Sequence, residues 1–101
     1  MQLRVGLALA SAVDTTTIIV TKVPEGEVDL TCGGVPMIPK GTEAPPTSAD
    51  PAFMHGSLLG KRYVAEDGTL EVLCTKGGDA SLALAGKLLV TADAKALPSS
   101  D

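Results

Sequence analysis

Along the first third of the chain, apolar residues fall on every second position. Leu3, Val5, Leu7 and Leu9 occupy alternate places within residues 2–12, the period of a strand with one face turned inward. "TTTIIVTKV" (15–23) is a β-branched run, and such side chains suit a pleated sheet better than a helix. "VPEGEV" predicts a turn, with Pro24 fixing φ and Gly26 free to take a positive one. "EVDLTC" (27–32) then sets Val28, Leu30 and Cys32 on one face and Glu27, Asp29 and Thr31 on the other. Further on, "RYVA" and "TLEVLC" flank Asp67-Gly68, a hairpin signal that puts Leu70, Val72 and Cys74 on one face. In the segment 80–96, Leu82, Leu84, Leu88 and Val90 alternate, which predicts a hairpin turning near Ala85-Gly86. A helix there would carry Gly86 at a cost of ~1 kcal/mol relative to alanine.

Residues 33–57 break the alternation. They hold five prolines and four glycines, which predicts a long loop with neither helix nor central strand. A loop of that length is either functional or a cover for the core, and Phe53, the sole Phe, is its expected packing anchor. The fold expected is therefore all-β. It is a small sheet, barrel-like or sandwich domain of seven to eight short strands over 1–96, with the loop inside it and a polar tail at 97–101. Leu3 to Leu9, Ile18 to Val20, Val28, Leu30, Leu70, Val72, Leu82 and Leu84 are the expected inward positions.

At 101 residues the chain is one domain. Hydrophobic residues make up 45% of it, yet there is one Phe, one Tyr and no Trp, so the core is aliphatic. A core of this kind gains from a partner, an oligomer or a metal. The net charge of −4, with basic residues scattered, argues against nucleic acid, which needs clustered Lys and Arg. Two aromatics leave little to stack on bases. The opening "MQLRVGLALASA" carries a small-x-small pair at Ala10 and Ala12, but its apolar run is shorter than the ~7 to 15 residues of a signal h-region. No run approaches the ~18 to 20 apolar residues of a membrane span. The expectation is a cytoplasmic protein that binds neither membrane nor nucleic acid.

The chemistry centres on Cys32 and Cys74, the only cysteines. "VDLTCGG" and "LEVLCTKGG" echo each other forty-two positions apart, each ending an acid-bearing strand with Cys and then a glycine pair. Glycines after a thiolate ligand let backbone N–H groups turn toward the sulfur, although zinc and iron knuckles ordinarily supply paired cysteines. "GEVDLTCGGVPM" resembles the second knuckle of desulforedoxin and of desulfoferrodoxin N-terminal domains, and "YVAEDGTLEVL" resembles their first hairpin. That resemblance implies a small rubredoxin-like β fold with a four-thiolate metal. Carried over residue by residue, Cys32 alone matches a ligand. Thr31 stands where the adjacent Cys belongs, Ala65 and Asp67 stand in the region of the other pair, and the two pieces occur in reversed order. Three readings of the cysteines stay open: buried core thiols, a disulfide, or ligands of zinc or iron, shared across a dimer interface or completed by His55. All three require that the "TCGGVPM" corner bring Cys32 near Cys74.

His55, beside Met54, is the lone histidine. With the thiols it would suit a soft metal such as Cu(I); as a loop residue it is otherwise simply solvated. No nucleophile–base arrangement is distinctive, and Asp29, Glu66, Asp67 and Glu71 fit the wet face of strands and a turn. No catalytic residue is assigned. The expected function is that of a small non-catalytic accessory or assembly protein without a cofactor, binding a protein partner or itself. It would act alone or as the small subunit of an enzyme complex. The alternative is a metal-binding or redox knuckle protein using Cys32 and Cys74.

Overall fold

The β-branched run becomes one of the two longest strands, and the fold is built outward from it. The computed structural model describes residues 2–43 and 47–92. Its strands are β1 (Ala8–Ala10), β2 (Thr17–Lys22), β3 (Leu30–Cys32), β4 (Val35–Pro36), β5 (Ile38–Pro39), β6 (Arg62–Val64), β7 (Glu71–Lys76), β8 (Leu82–Leu84), β9 (Lys87–Leu88) and β10 (Val90–Thr91). They form a six-stranded sheet, β10-β6-β7-β2-β1-β5, and a four-stranded sheet, β4-β3-β8-β9. Every pairing is antiparallel. Leu9, Ile18, Val20, Leu30, Leu70, Val72 and Leu82 are buried in one cluster with both cysteines, and each large aliphatic side chain so buried contributes about 1.5–3 kcal/mol. The all-β class is as the alternation predicts. Ten strands replace the expected seven to eight because two of the chain's strands are each interrupted at a single residue.

Those two interruptions close the molecule. β4 pairs with β3 in the smaller sheet, and β5, one residue further, pairs with β1 in the larger. The intervening Met37 is 2% exposed, and its N–H donates to Leu30 O at 3.2 Å. β9 and β10 repeat the move, from β8 to β6, around Leu89 at 8% exposure, whose N–H donates to Leu82 O at 2.9 Å. Each corner strand thus belongs to both sheets, and the pairing runs in a closed cycle, as in a barrel. The open sheet edges expected of a small domain are mostly consumed by this closure.

The cycle has an internal two-fold relation. β1 and β2 recur as β6 and β7 fifty-four positions later, and β3, β4 and β5 recur as β8, β9 and β10 fifty-two positions later. The register obeys the same rule. Ile18↔Cys74 becomes Val20↔Val72, Leu30↔Leu84 becomes Cys32↔Leu82, and Ile19↔Leu73 and Thr31↔Ala83 each map onto themselves. Irregular hydrogen bonds recur too. Gly6 N–H donates to Val20 O and Gly60 N–H to Cys74 O, both at 2.8 Å. The forty-two-residue echo is therefore not the repeat. Cys74 is the counterpart of Val20, and Cys32 of Leu84.

Several local expectations change. Val5 is exposed, because Gly6 at φ +91° bulges the chain out of alternation. Gly33 and Gly34, both at positive φ, do not release the chain from its sheet. They make a two-residue hairpin turn, as Ala85 and Gly86 do in the other half. The 33–57 loop contains β4, β5 and a 3-10 turn at Pro51–Phe53; Pro36 and Pro39 sit in edge strands, which tolerate a missing N–H. Leu88 and Val90 do not follow Leu82 inward; Leu89 does, because the corner shifts the phase. Segment 80–92 carries the predicted hairpin, while 93–96 and the tail expected at 97–101 lie outside the described residues. Among those residues no helix is long and apolar enough to cross a membrane.

Closure at the corners predicts that Met37→Ala destabilises the protein by about 2–4 kcal/mol in urea unfolding. Val35→Ala, at a half-buried position two residues away, should cost less than half as much. Equal losses would mean that the corner residue holds no special place.

Candidate functional site

Cys32 ends β3, opposite Val35 and Leu82 in the smaller sheet, and Cys74 lies in β7, opposite Ile18 in the larger. Both are fully buried, both are free thiols, and both belong to the same apolar cluster. The fold thus brings them to one core from opposite sheets. The Cys74 thiol donates to Lys76 O at 3.3 Å. Burial pushes the Cys32 thiol up to about 11, with the charges of Asp14 and Cys74 adding to the effect and hydrogen bonds from Ser11 and Thr16 opposing it. Cys74 is raised as well, by burial first and then by the Asp14 charge, against its hydrogen bond to Lys76. Neutral thiols are poor nucleophiles and poor ligands.

The carboxylate beside them is the group that sequence reasoning missed. The turn joining β1 to β2 folds back on itself. Ser11 Oγ accepts from the N–H groups of Val13 and Asp14 at 3.1 and 3.2 Å. Asp14 Oδ1 accepts from Thr16 N–H at 3.1 Å, and Oδ2 accepts from Thr16 Oγ1 at 3.0 Å and from Ala80 N–H at 2.8 Å. The last bond ties this hairpin to the β7–β8 connection. Burial alone would raise the Asp14 carboxyl, but the donors from Ala80, Ser11 and Thr16 outweigh it and hold the group below its ordinary 3.8. Gly78 passes so close that a Cβ there would collide with Asp14 Oδ2 and Thr16 Oγ1. The available signal was Asp-x-Thr at the tip of a β run, which recurs as Asp67-Gly68-Thr69. There Asp67 Oδ1 accepts from Thr69 N–H at 3.0 Å and Thr69 Oγ1 at 2.7 Å.

His55 stands apart from the thiols. It is exposed, its Nε2 lies 3.1 Å from Ala52 O, and its backbone N–H donates to Ser81 Oγ at 2.7 Å. Among the described residues, no three His, Cys, Asp or Glu side chains gather as metal ligands. The carboxylates are also dispersed: Glu66 faces Lys87 at 3.7 Å on the surface, and Glu71 accepts from Thr21 Oγ1 at 2.7 Å. The arrangement can fasten two hairpins and keep two thiols protonated. No family model, curated protein or solved structure matches this chain.

Two pH arms follow. A carboxylate held below 3.8 stabilises the fold at any higher pH and gives that up as the pH falls through its lowered value. Asp14→Asn should cost about 1–3 kcal/mol near neutrality, by offering an amide N–H₂ where oxygens accept three bonds, and should flatten the acid arm. A thiol raised from 9.0 to about 11 stabilises the fold fully below the lower value. It withdraws on the order of 2–3 kcal/mol as the pH rises to the upper one. Urea midpoints should fall over that window in the wild type and less in Cys32→Ala. Iodoacetamide should modify neither thiol until the chain is unfolded.

Proposed function

We propose that the protein is a small, non-catalytic accessory or assembly protein acting through protein–protein contacts. The observation that carries this reading is a pair of apolar tips. Val5 and Leu59, two-fold counterparts in the strand order, are 64% and 69% exposed, and Leu58 beside Leu59 is 60% exposed. Each precedes a glycine at positive φ, Gly6 or Gly60, so the backbone bulges to present it. Exposed aliphatics at the same bulge in both halves suit docking better than chance scatter would. The two tips flank the β2–β7 pair from its two sides, since Gly6 N–H bonds Val20 of β2 while Gly60 N–H bonds Cys74 of β7. A chain with one contact on each side can join a partner to a partner, or a copy to a copy.

Metal or redox chemistry at Cys32 and Cys74, the second function expected, would require thiolates, which burial and Asp14 oppose. Two unpaired buried thiols are also in keeping with a reducing, cytoplasmic setting.

Sedimentation velocity across micromolar concentrations tests the proposal. Self-association, or a stoichiometric complex with a co-purified partner, is expected, and serine substitution at Val5, Leu58 and Leu59 should abolish it with the circular dichroism of the fold intact. A strict monomer that retains no partner on purification would sink the idea. Metal at one-half or one equivalent per chain in fresh protein, lost in Cys32→Ser, would transfer support to the metal reading.

A further inference from the structure

β6 joins two unlike surfaces. Before it stands the exposed Leu58-Leu59 tip, followed directly by the exposed Lys61 and Arg62. After it, Glu66 and Asp67 border a groove that continues past Lys87 and Leu88 to Phe53 and Val90. One end is apolar and basic, the other apolar and acidic. In the groove, Glu66 and Lys87 face each other at 3.7 Å with both side chains largely in solvent. A pair so exposed is weak, and it leaves the groove receptive to an incoming cation. β6 itself is bonded to β7 on one side and to β10 on the other. Its three residues alone hold the two ends ~10 Å apart, so the tip cannot fold back into the groove of its own chain.

The other half of the cycle lacks this match. At Gly33-Gly34, the counterpart of Ala85-Gly86, the chain covers its own turn. A Cβ on Gly34 would meet Asp50 at 2.6 Å and Phe53 at 3.3 Å. Among the described residues, a Cβ on Gly86 would meet nothing within 4 Å. The first-half equivalents of Glu66 and Asp67 are Ala12 and Val13, which carry no charge. Each chain therefore presents one basic tip and one acidic groove that suit each other.

We infer that the Leu58-Leu59 tip of one copy docks in the groove beside Ala85-Gly86 of a second copy. Lys61 and Arg62 meet Glu66 and Asp67, while the two leucines cover Leu88 and Val90. The contact rests on the reading of the apolar tips as docking points and names the chain itself as the partner. A net charge of −4 opposes random contact between copies, and a basic tip on an acidic chain selects the one orientation in which charges attract. Tip and groove are different surfaces, so the contact is head-to-tail. Each copy gives its tip to one neighbour and its groove to another, closing into a ring or growing as a filament.

Sedimentation velocity on mixtures of two full-length variants tests it. The wild-type mass should rise past that of a dimer with increasing concentration, and should fall when salt screens the charges. Leu58→Ser combined with Leu59→Ser removes the tip and keeps the groove. Leu88→Asp removes the groove and keeps the tip, and Val90→Asp takes its place if circular dichroism shows the fold disturbed. Each kind of variant alone should be a monomer, and an equimolar mixture of the two should form a heterodimer that grows no further. Groove variants that associate as strongly as the wild type would overturn the inference, and so would a mixture that stays monomeric. A monomeric wild type that carries a different protein through purification would also overturn it, while leaving the accessory reading intact. A monomer with no partner at all would remove both.

Discussion

Met37 and Leu89 each sit between two strand residues that pair with one sheet and two that pair with the other. The bend is possible because the corner side chain goes inward at the point where the ladder changes partners, and burial holds it there. Everything else leans on this. The two sheets are brought face to face, the aliphatic side chains of β2, β3, β7 and β8 meet between them, and the edges that would otherwise stand open are absorbed. For a core with so few aromatics, closure replaces bulk. It removes backbone N–H and C=O groups from solvent competition without needing large side chains to fill the centre.

Much of this could be read from the alternation, and the reasons for the misses are physical. β2, β7, the Asp67-Gly68 hairpin and the Ala85-Gly86 turn follow from β-branched runs and turn residues, local signals that tertiary packing had no cause to override. Val5 was misplaced because a turn at Val5-Gly6 carries the chain outward for two residues while Leu3 and Leu9 on either side stay buried, and period-2 reasoning has no warning of it. At the second corner it is Leu89, between the alternating Leu88 and Val90, that turns inward. The repeat escaped because the halves share burial and register rather than identity. Ile18 answers to Val72, Val20 to Cys74, Leu9 to Tyr63 and Met37 to Leu89. Cys followed by paired glycines is conspicuous to the eye, yet Gly33-Gly34 close a hairpin while Gly77-Gly78 thread between a side-chain carboxylate and the Ser57 carbonyl.

The candidate site was legible only in part. Both thiols were correctly expected to share a core, since each ends an inward-facing alternation. Their surroundings were not, because Asp14 reaches them through a turn whose bonds cross from the β1–β2 hairpin to Ala80, sixty-six positions on. Period and composition carry no trace of such a bond. Burial of the thiols is what chiefly keeps them protonated, and the half-buried Asp14 carboxylate adds to it, since a negative charge nearby opposes the second negative charge that ligation or nucleophilic attack requires.

Symmetry also separates what the fold needs from what it does not. Features present at equivalent positions in both halves, such as the two-residue turns, the buried corners and the glycine bulges, are those on which the closed cycle rests. Where the halves disagree, closure cannot be the reason. Ser11 and Thr16 answer to Ala65 and Leu70, so the polar node exists in the first half alone, with its counterpart filled by apolar packing. Asp14, and the protonated thiols it favours, are therefore an addition to the architecture. The same logic applies to the exposed aliphatics. Val5 and Leu59 recur at equivalent bulges although neither contributes to the core. Among the described residues the backbone accounts for the bulge and leaves the apolar side chain on it exposed, which is the feature on which the proposed docking role rests.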